Sequence, residues 1–204
     1  MAGRIVRSSG YRSLAWKNGL GVSQVVATQP HGAGYQELDW QVATTRIAAS
    51  CPFSRLPGLD RHFMVLEGEG VELHFRGAND DPEVRRLIDT PLEACEFRGD
   101  WQTECRLLGG PVQVLNLVTR RARCTARVSV VTLRQSMTFD KAADETLLAF
   151  VASGACEIEE YPEALAAHDA VVADGAMRER YNMRGQGARV VMARITPVCP
   201  ANGQ

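Results

Sequence analysis

The six residues Trp16-Lys17-Asn18-Gly19-Leu20-Gly21 place an indole, a cation, a side-chain amide and two glycines in one short stretch. An indole can wall a small polar ligand, an ammonium can match its charge and an amide can hydrogen-bond it. Glycines let the backbone approach closely. The same residues also spell a turn, because Asn-Gly is a preferred hairpin dipeptide. A turn accounts for Asn18 and Gly19 but has no need of Lys17. On the residues alone, turn and turn-plus-site stay open.

Other polar residues sit where they would matter. In the run Val112–Thr119, alternate residues share a face, so Val112, Val114, Asn116 and Val118 lie together. Asn116 is the amide on an otherwise apolar face. Left unsatisfied there, it would cost about 1–3 kcal/mol, so it serves either a ligand or a neighbouring backbone group. Trp16 and Trp40 are core anchors or walls of a pocket, and Gln41 follows Trp40 on the same run. Ser54 lies in the Pro-flanked loop Pro52–Gly58, a place where rigid β scaffolds carry binding groups. Arg61 can grip a carboxylate with two parallel hydrogen bonds, or pair with Asp60 or Asp39.

Other chemistries lack their residues. His31, His62, His74 and His168 are isolated, with no His-x-His pair, so neither a bound metal nor another cofactor is expected. His74 shares its face with Glu72 and Arg76 and reads as solvated; His168 reads as a turn residue. His62, beside Arg61, is the one candidate for a lone acid or base. Nucleophile-elbow, phosphate-loop and dinucleotide fingerprints are missing, and no catalytic residue is assigned. Arg120, Arg121, Arg123 and Arg127 read as a solvated linker rather than a nucleic-acid patch, and Asn79–Glu83 as an exposed loop tip.

The elements that must position these residues are strands. Short β-branched and apolar runs recur between Gly, Pro, Asn and Asp: 22–27, 40–47, 63–66, 71–75, 112–119, 126–133, 147–151, 170–172 and 189–195. The chain also repeats itself in order. Phe63–Leu73 is echoed by Leu148–Ile158, Pro91–Phe97 by the stretch from Pro162, and Gly110–Thr119 by Gly187–Thr196. Two similar β units follow, with a boundary near Arg120–Arg123; the segment before Phe63 is extra and can pair with either. A net charge of −1 favours neither nucleic acid nor an anionic membrane. No run approaches the ~18 apolar residues of a membrane helix, and the start does not read as a signal peptide. Six scattered cysteines without Cys-x-x-Cys spacing read as reduced, mostly buried thiols of a cytoplasmic protein.

Three motifs together resemble the HutD/Ves family of bacterial proteins. They are Trp16–Gly21, Asp39-Trp40 with Pro52–Arg61, and Phe97–Trp101 leading to Gly110-Pro-Val and Asn116. The resemblance covers residues 10–120 well and the second half by general pattern. It implies an all-β bicupin with two jelly-roll-like barrels: residues 1–120 as N-terminal segment plus first barrel, and 121–204 as the second. It further implies a link to the control of histidine utilisation and a small carboxylate-bearing or formylated metabolite as ligand, without catalysis. Trp16, Lys17, Asn18, Trp40, Gln41, Ser54, Arg61 and Asn116 are then the expected ligand-binding residues. A homodimer is left open.

The chain departs from the family pattern. Gly19-Leu20-Gly21-Val22-Ser23-Gln24-Val25 stands where the family has Gly-Gly-Gly-x-Thr-Arg-Glu. Gln41-Val42-Ala43 replaces Arg-x-Ser, and Val114 replaces an acidic residue. Two cations and two anions are gone, which reads as a paired network lost together and a less polar pocket. The rival expectations are a metal-free cupin enzyme of the isomerase or epimerase type, with His62 or Lys17 as base, and a pure interaction module.

Overall fold

The computed structural model describes residues 3–16, 19, 21–77, 83–161 and 163–198. Strands dominate them. In chain order they are β1 (Gly3–Val6), β2 (Arg12–Ala15), β3 (Val22–Gln29), β4 (Trp40–Ile47), β5 (Cys51–Pro52), β6 (Leu59–Glu67), β7 (Val71–Arg76), β8 (Val84–Ile88) and β9 (Cys95–Arg98). There follow β10 (Gln102–Leu107), β11 (Val112–Arg120), β12 (Cys124–Thr132), β13 (Ser136–Lys141), β14 (Thr146–Ser153), β15 (Glu157–Ile158), β16 (Ala170–Ala173), β17 (Glu179–Arg184) and β18 (Arg189–Pro197). Among the described residues no helix is long and apolar enough to cross a membrane.

The chain divides into two compact units, Arg12–Ala122 and Met1–Tyr11 with Arg123–Gln204. In the first, a six-stranded sheet (β2-β3-β4-β11-β6-β9) faces a four-stranded one (β5-β10-β7-β8). Their facing side chains form one core: Phe63, Val65 and Val114 from the larger sheet meet Leu73, Phe75 and Cys105 from the smaller. In the second, β1-β16-β14-β18-β12 faces β13-β17-β15 around Leu147, Val171, Tyr181 and Met192. Each unit is a two-sheet, jelly-roll-like barrel, and the whole is a bicupin.

The internal repeat read from the sequence is visible in the strand order. β9-β6-β11-β4 in the first barrel matches β16-β14-β18-β12 in the second, and β5-β10-β7 matches β13-β17-β15. The hairpin glycines repeat too. Gly68 has φ +106°, and a Cβ there would lie 2.8 Å from Val112; Gly154 has φ +78°, with Ala188 at 3.0 Å. In both barrels the turn crosses close over the start of the closing strand, where a side chain would collide.

The N-terminal segment divides between the units. β1 pairs antiparallel with β16, so residues 1–11 belong with the second barrel and not with the first, as the boundary at 120 had assumed. Buried Asp169 fixes them, accepting hydrogen bonds from Ser8 N at 2.9 Å, Ala166 N at 3.1 Å and Arg7 Nη1 at 2.7 Å.

Arg120 and Arg121 are not a solvated linker. Arg120 donates to the backbone carbonyls of Tyr35, Gln36 and Leu38. Arg121 Nη2 bridges Asp60 and Asp100, each at 2.7 Å. Asp100 in turn accepts from Gly58 N at 3.1 Å. Burial pushes the Asp100 carboxyl up, but Arg121 and the Gly58 amide outweigh it and hold it below its ordinary value. This triad ties the loop after β5 to the start of β6. Replacing Arg121 with Met strands two part-exposed carboxylates. We expect a loss of about 1–2 kcal/mol in urea unfolding, with Arg121→Lys recovering part of it.

Candidate functional site

Strand pairing sets the site. β6 pairs with β11 and β9, and β11 pairs with β4, so residues in register form rows across the inner face of the six-stranded sheet. One row reads Gln41, Val118, Arg61, Phe97. The next reads Val25, Ala43, Asn116, Phe63, Cys95, and a third Ser23, Thr45, Val114, Val65. Neighbouring strands lie about 5 Å apart, which brings Gln41, Arg61 and Asn116 together inside one barrel.

Arg61 is 7% exposed, and its guanidinium lies between two rings, 4.8 Å from the centroid of Phe53 and 5.1 Å from that of Phe97. Its Nε has no hydrogen-bond partner, and none of the carboxylates among the described residues forms an ion pair with it. The expected partner Asp60 belongs instead to Arg121. Burial lowers the Arg61 pKa to about 10, with the nearby Tyr35 and Cys105 acting the other way. It therefore stays charged at neutral pH. Gln41 Nε2 and Asn116 Oδ1 are likewise buried without a partner. A charged donor, an amide donor and an amide acceptor thus share one inner face whose other groups are mostly apolar.

Trp16 completes a wall. Its Nε1 donates to Ser23 Oγ at 2.9 Å, and Ser23 Oγ lies 2.7 Å from Thr45 Oγ1. The indole meets Phe53 edge-on, with centroids 6.5 Å apart. A Cβ on Gly21 would lie 3.0 Å from that ring, and Gly19 takes φ +72°, so both glycines serve the turn that folds Trp16 inward. Lys17, Asn18 and Leu20 lie outside the described residues. Ser54 is half-buried beside Phe53.

An open cleft of about 540 Å³ lies in the same unit, lined by Tyr35, Glu37, Leu56, Leu59 and Arg120 among others but not by Arg61, Gln41 or Asn116. Leu59 is two residues before Arg61 and shares its face. Burial raises the Tyr35 phenol, while Arg61 pulls it down.

Some expected residues fall elsewhere. Trp40 pairs with Thr119, and Thr119 with Asp60, so the indole points to the opposite face from Arg61. It is a buried core residue. His62 lies on that opposite face as well, buried, with Nε2 3.5 Å from Glu96. It is not placed to act with Arg61. His74 is buried rather than solvated, because Glu83 folds over it at 2.9 Å from Nδ1 and Glu72 holds Nε2. The rest of the expected acidic loop tip, residues 79–82, lies outside the described residues. Among the described residues no three His, Cys, Asp or Glu side chains are grouped to hold a metal. Phe53, Phe97 and Tyr35 were missed as site residues. Phe53 lies in a loop already singled out, whereas Phe97 reaches Arg61 only through the β6–β9 register.

The sequence matches the HutD family over residues 8–191. The chain belongs to the HutD family. A 21.2 kDa protein from the hutC 3′ region of Pseudomonas putida is 31% identical over 125 residues, 61% of this chain and 62% of that protein, so the chain spans less than two thirds of that relative. Protein Ves of Citrobacter koseri is 30% identical over 144 residues, covering 70% of this chain and 69% of the relative. The solved structure of HutD from Pseudomonas fluorescens, in a formate condition, superposes with a TM-score of 0.79 at 27% identity, covering 97% of this chain and 100% of that one.

The departures from the HutD pattern fall on two faces of the sheet. Positions 25, 41, 43 and 114 face the barrel interior, but Gln24 pairs with Thr44 on the other face and bonds exposed Ser13. The lost groups were therefore not one balanced network. The interior lacks two anions and one cation of the family pattern.

Two stability outcomes follow. Lowering the Arg61 pKa from 12.5 to about 10 corresponds to ~3 kcal/mol against the charged native form. That cost applies in full at pH 7 and fades only as pH rises through 10, where the unfolded chain binds more protons. The two rings return up to ~2 kcal/mol. Arg61→Met should accordingly stabilise the unliganded protein by about 1–2 kcal/mol in urea unfolding. For His62, burial lowers the pKa from 6.5 more than Glu96 and Asp60 raise it. Neutral His62 thus supports the fold above pH 6.5, and that support is lost as pH falls through its depressed native value. His62→Gln should flatten the drop in Tm between pH 7 and 5.

Proposed function

We propose that the first barrel binds a small carboxylate-bearing metabolite through Arg61, and that the protein serves the regulation of histidine utilisation rather than catalysis. The observation that carries the binding reading is the Arg61 guanidinium, buried between Phe53 and Phe97 with no carboxylate partner among the described residues. A ligand carboxylate supplies the missing charge and two hydrogen bonds in a low-dielectric site. Asn116 and Gln41 add an acceptor and a donor, which suits an amide-bearing ligand of the formyl-amino-acid kind. Trp16 and Ser54 are assigned to the surrounding wall, and Lys17 and Asn18 enter this proposal as binding residues on the sequence resemblance alone. The link to histidine utilisation rests on family membership and on the Pseudomonas putida relative named from the hutC 3′ region. The formate condition of Pseudomonas fluorescens HutD concerns the smallest carboxylate and agrees with the ligand class.

Calorimetric titration with formate and with an N-formyl amino acid tests this, with formamide as the uncharged control. Wild-type protein should bind the two carboxylates and not formamide. Arg61→Met, more stable without ligand, should lose about 10–100-fold in affinity, the value of a charge-assisted contact of ~1.5–3 kcal/mol. Equal affinity in the two proteins would remove Arg61 from the site. Between pH 5 and 9 affinity should stay flat, because a guanidinium with a pKa of about 10 keeps its charge throughout.

A further inference from the structure

The two thiols of the first barrel that face each other are Cys51 on β5 and Cys105 on β10, directly opposite in antiparallel register. Residues directly opposite in antiparallel strands point to the same face. Both side chains belong to the same core, Cys105 buried and Cys51 half-buried at its margin. Phe53 N donates to Thr103 O at 2.9 Å, which makes 53/103 a hydrogen-bonded pair and, two residues on, 51/105 another. Hydrogen-bonded pairs have Cα atoms about 5.5 Å apart, the separation most common in disulfides. Cys95, Cys124 and Cys156 have no cysteine opposite them in any described ladder.

We propose that Cys51 and Cys105 form an oxidation site, closed to a cross-strand disulfide by a small peroxide. Cys51, the more exposed, attacks first. Its thiolate takes one oxygen of hydrogen peroxide, the O–O bond breaks, and Cys51 becomes a sulfenic acid as hydroxide leaves and is protonated to water. Cys105 then attacks the Cys51 sulfur; its proton and the sulfenic hydroxyl leave as the second water. Two thiols and one peroxide give one disulfide and two waters, the sulfurs oxidised and the peroxide reduced. Burial raises both thiols, Cys105 to about 12, so the reaction is slow at neutral pH and quickens as pH rises. The bond would fasten β5, which leads directly into the Phe53 ring over Arg61.

The full chain is treated with hydrogen peroxide at pH 8 under conditions that leave the far-ultraviolet circular dichroism unchanged. Free thiols, counted after unfolding, should fall from the six of the sequence by two, with a mass loss of two hydrogens. Peptide mapping should join Cys51 to Cys105. Cys105→Ala should stop at a Cys51 sulfenic acid trapped by dimedone, and Cys51→Ser should leave Cys105 reduced. Exchange of the Phe53 amide should slow in the oxidised protein. Retention of all thiols in natively folded wild type, or a bridge to any other cysteine, overturns the site. A Cys51–Cys105 bridge with unchanged Phe53 exchange overturns the fastening of the ring.

Discussion

A charged guanidinium held inside a β barrel with no anion partner among the described residues is the constraint around which the first unit is arranged. Such a group is costly to bury, and here several features act to keep it in place. Phe53 and Phe97 give it two ring faces. Phe97 is supplied by the β6–β9 register, and Phe53 by the loop after β5. That loop is fixed by Leu56 N to Gly99 O at 2.8 Å and by the Arg121–Asp100–Gly58 chain. Gly99 allows it, since a Cβ there would lie 2.6 Å from Leu56 O. The neighbouring Asp60, the nearest carboxylate in sequence, points to the other face and is occupied by Arg121. The same arrangement that orders the loop thus withholds a counter-ion from Arg61.

The second barrel shows that the scaffold does not require this. Its strand order repeats that of the first, yet its interior is filled by Leu147, Ala149, Val151, Val171, Val190 and Met192 with Phe139 and Tyr181. Its charged groups are managed differently. Lys141, though buried, directs Nζ to the carbonyls of Ala142, Gly175 and Met177 and is satisfied by them. Lys141 is a buried cation pinned by three acceptors, whereas Arg61 is a buried cation whose Nε has none. The contrast between Lys141 and Arg61 distinguishes the two barrel interiors more sharply than any difference in their topology.

Much of the fold was legible in the sequence because the strands of the larger sheets are long and apolar. β4 was bounded to the residue, and the repeat survived as matched strand order. The smaller sheets were largely missed. β10 buries Thr103 and Cys105 between Gln102, Glu104 and Arg106, and β17 buries Tyr181 and Met183 between polar neighbours, so their alternation carries little hydrophobic signal. The site was partly legible. Asn116 stood out by alternation alone. Arg61 had Asp60 and Asp39 as plausible partners, and only the ladder shows that Asp60 faces away. Trp40 and Gln41 are adjacent in sequence, and the register sends them to opposite faces. No count of aromatic or polar residues could have made that separation.

The register also changes what the departures from the HutD pattern mean. Counted along the chain, two cations and two anions are lost, and the sum is neutral. Counted by face, Gln24 drops out, because it lies with Thr44 and Ser13 outside the barrel. The interior has then lost the anions of positions 25 and 114 and the cation of position 41. Arg61 keeps its charge in a barrel that has become less negative. A polar anion-rich interior would have competed with a carboxylate ligand for Arg61; this one offers no protein carboxylate among the described residues. With Val25 and Val114 on the inner face, no carboxylate among the described residues competes for Arg61 there, which is the condition that the proposed carboxylate ligand requires.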